Sequence, residues 1–211
     1  MVRHISLTGR FAEAVSYAAI AHAGQVRKGT DVPYLSHLLS VAALVLEHGG
    51  NEVQATAGVL HDVVEDCGGL RRLEDVRAVF GDEIATLVHA LSDAAPVDGA
   101  PKEAWKPRKE TYLAHLREMV AADHPAALVS LCDKLHNARA IVADASDEAG
   151  PGVRVWDRFT GTAAETAWYY RSLADAFRSG RLPARAVAAF DATVTELARL
   201  AEDAQPVGAQ G

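Results

Sequence analysis

The sequence has little cysteine, with only Cys67 and Cys132 among 211 residues. Two cysteines cannot form the disulfide framework that replaces a hydrophobic core in small secreted domains, so we expect no disulfide-stabilised fold. Each cysteine lies next to an aspartate of interest, Asp66 or Asp133. A metal-binding thiol therefore stays open, but packing as a small apolar side chain is the favoured interpretation.

Long apolar runs are absent, and nothing near the N-terminus has the pattern of a signal peptide. We therefore expect a cytoplasmic protein without membrane contact. Positive charge is also scarce: 21 Lys and Arg against 28 Asp and Glu give a net charge of −7. This balance excludes a general attraction to nucleic acid or anionic lipid. An anionic substrate would need local cations or a metal ion.

Aromatic residues make up only 6% of the chain, and runs of β-branched residues are short. Alanine and leucine dominate the 49% that is hydrophobic, which favours an all-α fold. A chain of this length can bury a sizeable core as one domain. We expect a single domain over residues 1–203 and a flexible tail over 204–211. The sequence contains no Walker loop and no dinucleotide fingerprint.

Helical spacing of apolar residues, with caps and glycine stops, predicts a series of helices. Asn51 is predicted to cap a helix that continues to Gly68, and Ser36 to cap the helix before it. The stretch 93–106 is predicted to be a surface loop, and a lid is one interpretation of it. The predicted helices cover residues 7–23, 36–48, 52–67, 73–80, 82–92, 108–122, 125–144, 162–178 and 183–201.

The most informative stretch is His61-Asp62-Val63-Val64-Glu65-Asp66, which follows an apolar run. His61 and Asp62 offer one imidazole and one carboxylate to a metal ion. On a continuous helix, His61 would lie over Glu65 and Asp62 over Asp66, because residues four apart share a face. The alternative is a solvated helix end whose carboxylates are merely exposed.

Two further residues could complete a divalent metal site with His61 and Asp62. His37 is predicted in the first turn of a helix, and Asp133 interrupts an apolar helical run. Histidine and carboxylate ligands from several elements suit a divalent ion, and the lack of a required cysteine disfavours a structural zinc site.

An aspartate in an apolar run such as that around Asp133 is costly to bury unless it is paired or binds a metal. The alternative to metal binding is a buried ion pair with Lys134, His136 or Arg139. Asn137 falls one helical turn after Asp133, on the same face, where it could reach a substrate.

The stretch from Gly24 to Tyr34 is a loop that carries the cations Arg27 and Lys28. Arg27 is suited to stack on a base or to bind a phosphate through its planar guanidinium. The alternative is an ordinary solvated cationic loop. His22 lies just before this loop, and we expect it to support the loop through a hydrogen bond rather than to bind a metal.

Four motifs together resemble the hydrolase domain of RelA/SpoT-type proteins, a branch of the HD superfamily. They are Ala21-His22-x-Gly24-Gln25-x-Arg27-Lys28, Pro33-Tyr34-x-x-His37, His61-Asp62-x-x-Glu65-Asp66 and Asp133-Lys134-Leu135-His136-Asn137. That domain removes the 3′-pyrophosphate from ppGpp and pppGpp. The resemblance spans about residues 8–180 and implies an HD-domain helical bundle of about eight to ten helices, similar to a stand-alone small alarmone hydrolase.

The resemblance also implies roles for individual residues and a cofactor. It implies Mn²⁺, or another divalent metal, held by four ligands: His37, His61, Asp62 and Asp133. It implies that Glu65 and Asp66 form the pair that acts on the attacking water and carries out the proton transfers.

For the substrate, the resemblance implies that Arg27 and Lys28 border the base and phosphates and that Asn137 fixes the nucleoside. Ala140 stands where alarmone hydrolases often carry a hydroxyl residue, which leaves open a second substrate class. The alternative function is an HD-family phosphatase acting on NADPH or a nucleoside monophosphate. A non-catalytic nucleotide sensor would be a third class of function. A sensor of this kind is expected to lack at least one metal ligand or the carboxylate pair, whereas this sequence keeps all four candidate ligands and the pair. The expected partner is a small-molecule nucleotide, with the chain as a monomer or homodimer.

Overall fold

The computed structural model describes residues 5–92, 104–147 and 149–204. Within these residues the regular structure is helical and contains no β-strand, which confirms the predicted all-α fold. There are nine α-helices and one short 3₁₀-helix in the described part, in agreement with the predicted eight to ten. The α-helices are α1 Gly9–Ala21, α2 Leu35–Glu47, α3 Glu52–Leu60, α4 Val63–Cys67, α5 Gly69–Leu91, α6 Trp105–Ala121, α7 Ala126–Ser146, α8 Ala163–Arg178 and α9 Ala184–Asp203, and the 3₁₀-helix is Gly152–Arg158.

The chain divides into two compact units. The first consists of Met1–Lys102 with Pro125–Asp133, and the second of Glu103–His124 with Lys134–Gly211. The boundary falls inside α7, between Asp133 and Lys134. The assignment of residues 1–203 to one domain stays a prediction.

Helix α3 is the central element of the first unit, packed against α1, α2 and α5. All its residues from Ala55 to Leu60 are buried. A Cβ atom on Gly58 would lie 3.4 Å from Val41 Cγ1, so glycine allows α2 and α3 to approach closely. The predicted Asn51 cap is confirmed as a capping box, in which Asn51 and Gln54 each accept the other's backbone N–H.

The predicted continuous helix through the His61-Asp62 pair is wrong. Helix α3 ends at Leu60 and α4 begins at Val63, with His61 and Asp62 in a turn between them. The Gly58 carbonyl, which an uninterrupted helix would offer to the Asp62 N–H, accepts a hydrogen bond from the His61 ring. The Asp66 N–H still donates to the Asp62 carbonyl at 2.9 Å, so these two residues keep helical spacing.

Helix α5 contains the break that the sequence predicts between two shorter helices. Gly81 has φ 82° and ψ 172°, a backbone conformation that only glycine adopts readily. The Arg10 guanidinium donates to the Phe80 carbonyl beside this break. The first half of α5 begins at Gly69, four residues earlier than predicted.

The predicted Ser36 cap is wrong, because α2 begins at Leu35 and its N-cap residue is Tyr34, whose side chain makes no capping hydrogen bond. Tyr34 already has α-helical backbone angles, φ −59° and ψ −31°, so Ser36 lies inside the first turn. Most of the loop predicted at 93–106, and all but the first residue of the predicted tail at 204–211, lie outside the described residues.

In the second unit, α8 packs against both α6 and α9. Its core is aromatic: the rings of Phe177 and Phe190 meet edge to face at 5.3 Å, and Tyr170 packs on Phe190 at 6.3 Å. The 3₁₀-helix has no counterpart in the predicted elements. None of the described helices is both long and apolar enough to cross a membrane.

Candidate metal centre

Three side chains predicted as metal ligands come together in the first unit. His37 lies in the first turn of α2, His61 in the turn after α3, and Asp133 near the middle of α7. One donor atom from each lies within 4.8 Å of the other two. Asp133 Oδ1 is 3.2 Å from His37 Nε2 and 3.6 Å from His61 Nε2. All three residues are buried.

Asp62, the fourth predicted ligand, contacts both histidines of this group. Its Oδ2 atom lies 3.1 Å from His61 Nε2 and 3.7 Å from His37 Nε2. The same oxygen accepts a hydrogen bond of 2.6 Å from the Tyr34 hydroxyl. Tyr34 has no role predicted from the sequence, although a hydroxyl three residues before a candidate histidine ligand could have indicated a hydrogen-bond donor to the site.

The orientation of His61 is fixed by its backbone partner. Its Nδ1–H donates to the Gly58 carbonyl at 2.9 Å, which turns Nε2 toward Asp62 and Asp133. The His61 Nε2 atom is buried and makes no hydrogen bond of acceptable geometry to the described residues. A histidine that holds a backbone carbonyl with one nitrogen and leaves the other to the site is the usual arrangement of a metal ligand.

Burial and charge give the two histidines opposite pKa shifts. Burial lowers the pKa of His37. Burial also acts to lower the pKa of His61, but the carboxylates of Asp62 and Asp133 outweigh it and raise that pKa well above the ordinary value. Burial acts to raise the pKa of Asp62, but the positive charge of His61 lowers it to about 2. Without metal, the site therefore favours the protonated form of His61 and the neutral form of His37.

The donor set fits a divalent metal ion. It consists of imidazole nitrogens and carboxylate oxygens, which suit hard and borderline cations such as Mn²⁺ or Zn²⁺. Neither cysteine belongs to the group of mutually close donors: Cys67 Sγ contacts the Ala21 carbonyl at 3.4 Å, and Cys132 is a buried core residue. The buried His61 Nε2 atom, which makes no hydrogen bond of acceptable geometry within the described part of the chain, is the atom that would bind the metal ion.

The predicted catalytic pair lies on the short helix α4, directly after Asp62. The side chains of Glu65 and Asp66 are both exposed. Asp66 Oδ2 accepts a hydrogen bond of 2.8 Å from the Gln25 side-chain amide. Gln25 has no function predicted from the sequence, although it stands in the motif with the cation pair.

The cationic loop is a short hairpin. Val26 and Pro33 form an isolated antiparallel bridge, and the Arg27 N–H donates to the Val32 carbonyl at 2.8 Å. The Arg27 guanidinium lies over the Tyr34 ring, 5.7 Å from its centroid. The side chain of Lys28 is exposed.

His22 supports this hairpin as predicted. Its Nδ1 atom is 2.6 Å from Gln25 Oε1, in a hydrogen bond between the end of α1 and the first residues of the loop. Asn137 lies four residues after Asp133 on α7, in the second unit, and its side chain is half-buried.

The sequence matches the HD domain family over residues 14–159. This match covers more than half of the chain. The chain belongs to the HD domain family. His61 and Asp62 lie within the matched residues.

This HD domain is also similar in sequence to individual relatives. It is 35% identical over 133 residues to a probable guanosine-3′,5′-bis(diphosphate) 3′-pyrophosphohydrolase of Synechocystis sp., covering 62% of this chain and 16% of that protein. It is 32% identical over 162 residues to a GTP pyrophosphokinase rsh of Brucella suis biovar 1, covering 77% of this chain and 20% of that protein. These relatives confirm the resemblance to RelA/SpoT-type proteins. The chain spans a fifth or less of their length.

A solved structure has the same fold. It is that of a metazoan ortholog of SpoT that hydrolyses ppGpp, with a TM-score of 0.69 and 24% sequence identity. The match covers 92% of this chain and 98% of that chain. The predicted HD-domain helical bundle is thereby confirmed.

Proposed function

We propose that this HD domain is a Mn²⁺-dependent hydrolase that removes the 3′-pyrophosphate from ppGpp and pppGpp, giving GDP or GTP. The observation that carries the proposal is the buried group of His37, His61 and Asp133, with Asp62 beside it and an exposed carboxylate pair on the next helix. The names of the relatives support this choice of substrate.

The four proposed ligands are His37, His61, Asp62 and Asp133. A divalent ion bound there would lower the pKa of a water molecule and offset charge on the phosphoryl group under attack. Asp62 and Asp133 supply the negative charge that holds such an ion, and the Gly58 and Tyr34 hydrogen bonds orient two of the ligands.

The chemical step is a hydrolysis. The oxygen of water bonds to the phosphorus attached at the ribose 3′ position, and the bond from that phosphorus to the 3′ oxygen breaks. One proton leaves the water and one is taken up by the 3′ oxygen, so that pyrophosphate and a 3′-hydroxyl nucleotide are formed. Glu65 and Asp66 are the proposed groups that move these protons. Both are exposed on α4, where a bound nucleotide can reach them.

Substrate binding is assigned to Arg27, Lys28 and Asn137. ppGpp is strongly anionic, whereas the chain carries a net charge of −7, so binding requires local positive charge. The hairpin with Arg27 and Lys28 is connected to Asp66 of the carboxylate pair through Gln25, which supports its assignment to the phosphates and base. The proposed compartment is the cytoplasm, and the chain acts as a monomer or homodimer.

Product analysis tests this function. The purified chain, saturated with Mn²⁺, is given ppGpp and NADPH in parallel, and pyrophosphate and inorganic phosphate are measured separately. We expect pyrophosphate from ppGpp, and none after EDTA treatment. Phosphate from NADPH alone would overturn the alarmone assignment and assign the site to the alternative phosphatase function.

A further inference from the structure

One buried histidine outside the metal group, His22, is connected through its neighbours to two carboxylates of the candidate site, those of Asp66 and Asp62. His22 ends α1 and is only 4% exposed. Its ring has two neighbours in the loop that follows, Gln25 and Tyr34. We call these three residues the His22 network.

The first branch of the network runs through Gln25 to Asp66. A carboxylate can only accept hydrogen bonds, so the Gln25 atom 2.8 Å from Asp66 Oδ2 must be the amide nitrogen. The Gln25 amide oxygen then faces His22, and the His22 Nδ1 atom at 2.6 Å must carry the proton that it donates. The donors therefore all point along one direction, from His22 through Gln25 into Asp66.

The second branch runs through Tyr34 to Asp62. The rings of His22 and Tyr34 are stacked, with centroids 5.2 Å apart and an angle of 27° between their planes. The Tyr34 hydroxyl donates to Asp62 Oδ2, the oxygen that also faces the two histidines of the metal group. A donor on a ligating carboxylate fixes which oxygen faces the metal.

We propose that His22, Gln25 and Tyr34 are positioning residues that hold the carboxylates of Asp66 and Asp62 in a fixed orientation relative to each other. This inference rests on the proposed function, because it gives Asp66 and Asp62 their roles in hydrolysis and metal binding. The two branches end on carboxylates with different proposed roles, proton transfer for Asp66 and metal binding for Asp62. Loss of the Gln25 branch must therefore slow turnover and spare the metal, whereas loss of the Tyr34 hydroxyl must weaken metal binding.

Three substitutions separate the branches. Gln25→Met keeps the length of the side chain and removes both hydrogen bonds. Tyr34→Phe keeps the ring stacked on His22 and removes only the hydroxyl. His22→Phe keeps a ring against Tyr34 and removes the donor to Gln25. Val32→Thr is the control, because Val32 lies exposed in the same hairpin and keeps the backbone carbonyl that accepts the Arg27 N–H.

The experiment measures kcat and KM for ppGpp at saturating Mn²⁺, and the Kd of Mn²⁺ by electron paramagnetic resonance of the free ion. We expect Gln25→Met to lower kcat by about 10–100-fold with KM and the Mn²⁺ Kd unchanged. Tyr34→Phe should weaken Mn²⁺ binding by about 10–100-fold and recover turnover at saturating Mn²⁺. His22→Phe should match Gln25→Met, and Val32→Thr should match the wild type.

An unchanged kcat in Gln25→Met, or an unchanged Mn²⁺ Kd in Tyr34→Phe, would overturn the inference. If His22→Phe fails to fold, the other two variants still decide it. A wild-type chain that releases no pyrophosphate from ppGpp would instead defeat the proposed function. In that case the Mn²⁺ titration alone decides the inference: weaker binding in Tyr34→Phe supports it, and binding equal to the wild type overturns it.

Discussion

Binding of a metal ion at the candidate centre should release one proton at neutral pH. The metal-free site keeps a proton on His61, since Asp62 and Asp133 raise the pKa of that imidazole well above its ordinary value of 6.5. His37 starts neutral, because burial lowers its pKa. A metal ion needs the Nε2 lone pair of His61, while Nδ1 keeps its proton for the Gly58 carbonyl. Of the two histidines, only His61 must therefore lose a proton.

The size of the effect follows from this count. One proton released per metal ion means that the association constant rises about tenfold for each pH unit, which is about 1.4 kcal/mol of binding free energy. This slope holds over the pH range in which His61 is protonated in the metal-free protein. Above the pKa of His61 the dependence on pH should disappear.

Isothermal titration calorimetry measures this proton directly. EDTA-stripped protein is titrated with Mn²⁺ at pH 7 in buffers that differ in their enthalpy of ionisation. The slope of observed enthalpy against buffer enthalpy gives the protons released, and we expect a value near one. His89→Gln, which changes an exposed histidine on α5, should leave the slope unchanged. A slope near zero would refute the reasoning, because it would mean that His61 is already neutral or does not bind the metal.

Substitutions and changes of pH test the metal centre and the α5 break separately. Asp62→Ala should abolish Mn²⁺ binding and turnover while the helical far-UV circular dichroism signal stays, and retained turnover would contradict the metal assignment. Glu65→Gln should lower kcat and leave the Mn²⁺ Kd unchanged; loss of metal would make Glu65 a ligand. In EDTA-treated protein, the raised pKa of His61 stabilises the fold at pH values below 6.5, and this stability is lost as the pH rises through the folded pKa. The lowered pKa of His37 acts in the opposite direction, because its contribution is present above pH 6.5 and is lost as the pH falls below 6.5. The lowered pKa of Asp62 stabilises the fold above pH 3.8, so urea unfolding should show a further loss of stability as the pH falls from 3.8 toward about 2. Gly81→Ala should destabilise the fold by about 1–3 kcal/mol, because φ is 82° there, whereas Gly9→Ala, with open space around it, should be neutral or slightly stabilising in the same unfolding assay.

The helices were predictable because their signals are local. Apolar spacing marks buried faces, the Asn51 side chain caps α3, and Gly81 breaks α5. The turn at His61 and Asp62 was not predictable from spacing, because it coincides with a hydrogen bond between a side chain and the Gly58 carbonyl. Ser36 has the right residue type for a cap, but the tertiary structure starts the helix earlier at Leu35.

The candidate site shows the same division between local and tertiary information. Residue types indicated the metal group, but the approach of Asp133 to His37, far apart in sequence, exists only in the folded chain. The hydrogen bond from His22 to the loop was predicted and is confirmed. The contacts of Gln25 and Tyr34 with the carboxylates were missed, because the hairpin must fold before those side chains reach α4 and Asp62.

The most direct test of the central claim is a Mn²⁺ titration of EDTA-stripped protein, with bound metal and pyrophosphate release from ppGpp followed together. The residues of the candidate centre predict that release rises in proportion to bound Mn²⁺ and saturates at one ion per chain. Release that is independent of Mn²⁺, or a saturated site that releases no pyrophosphate, would contradict it.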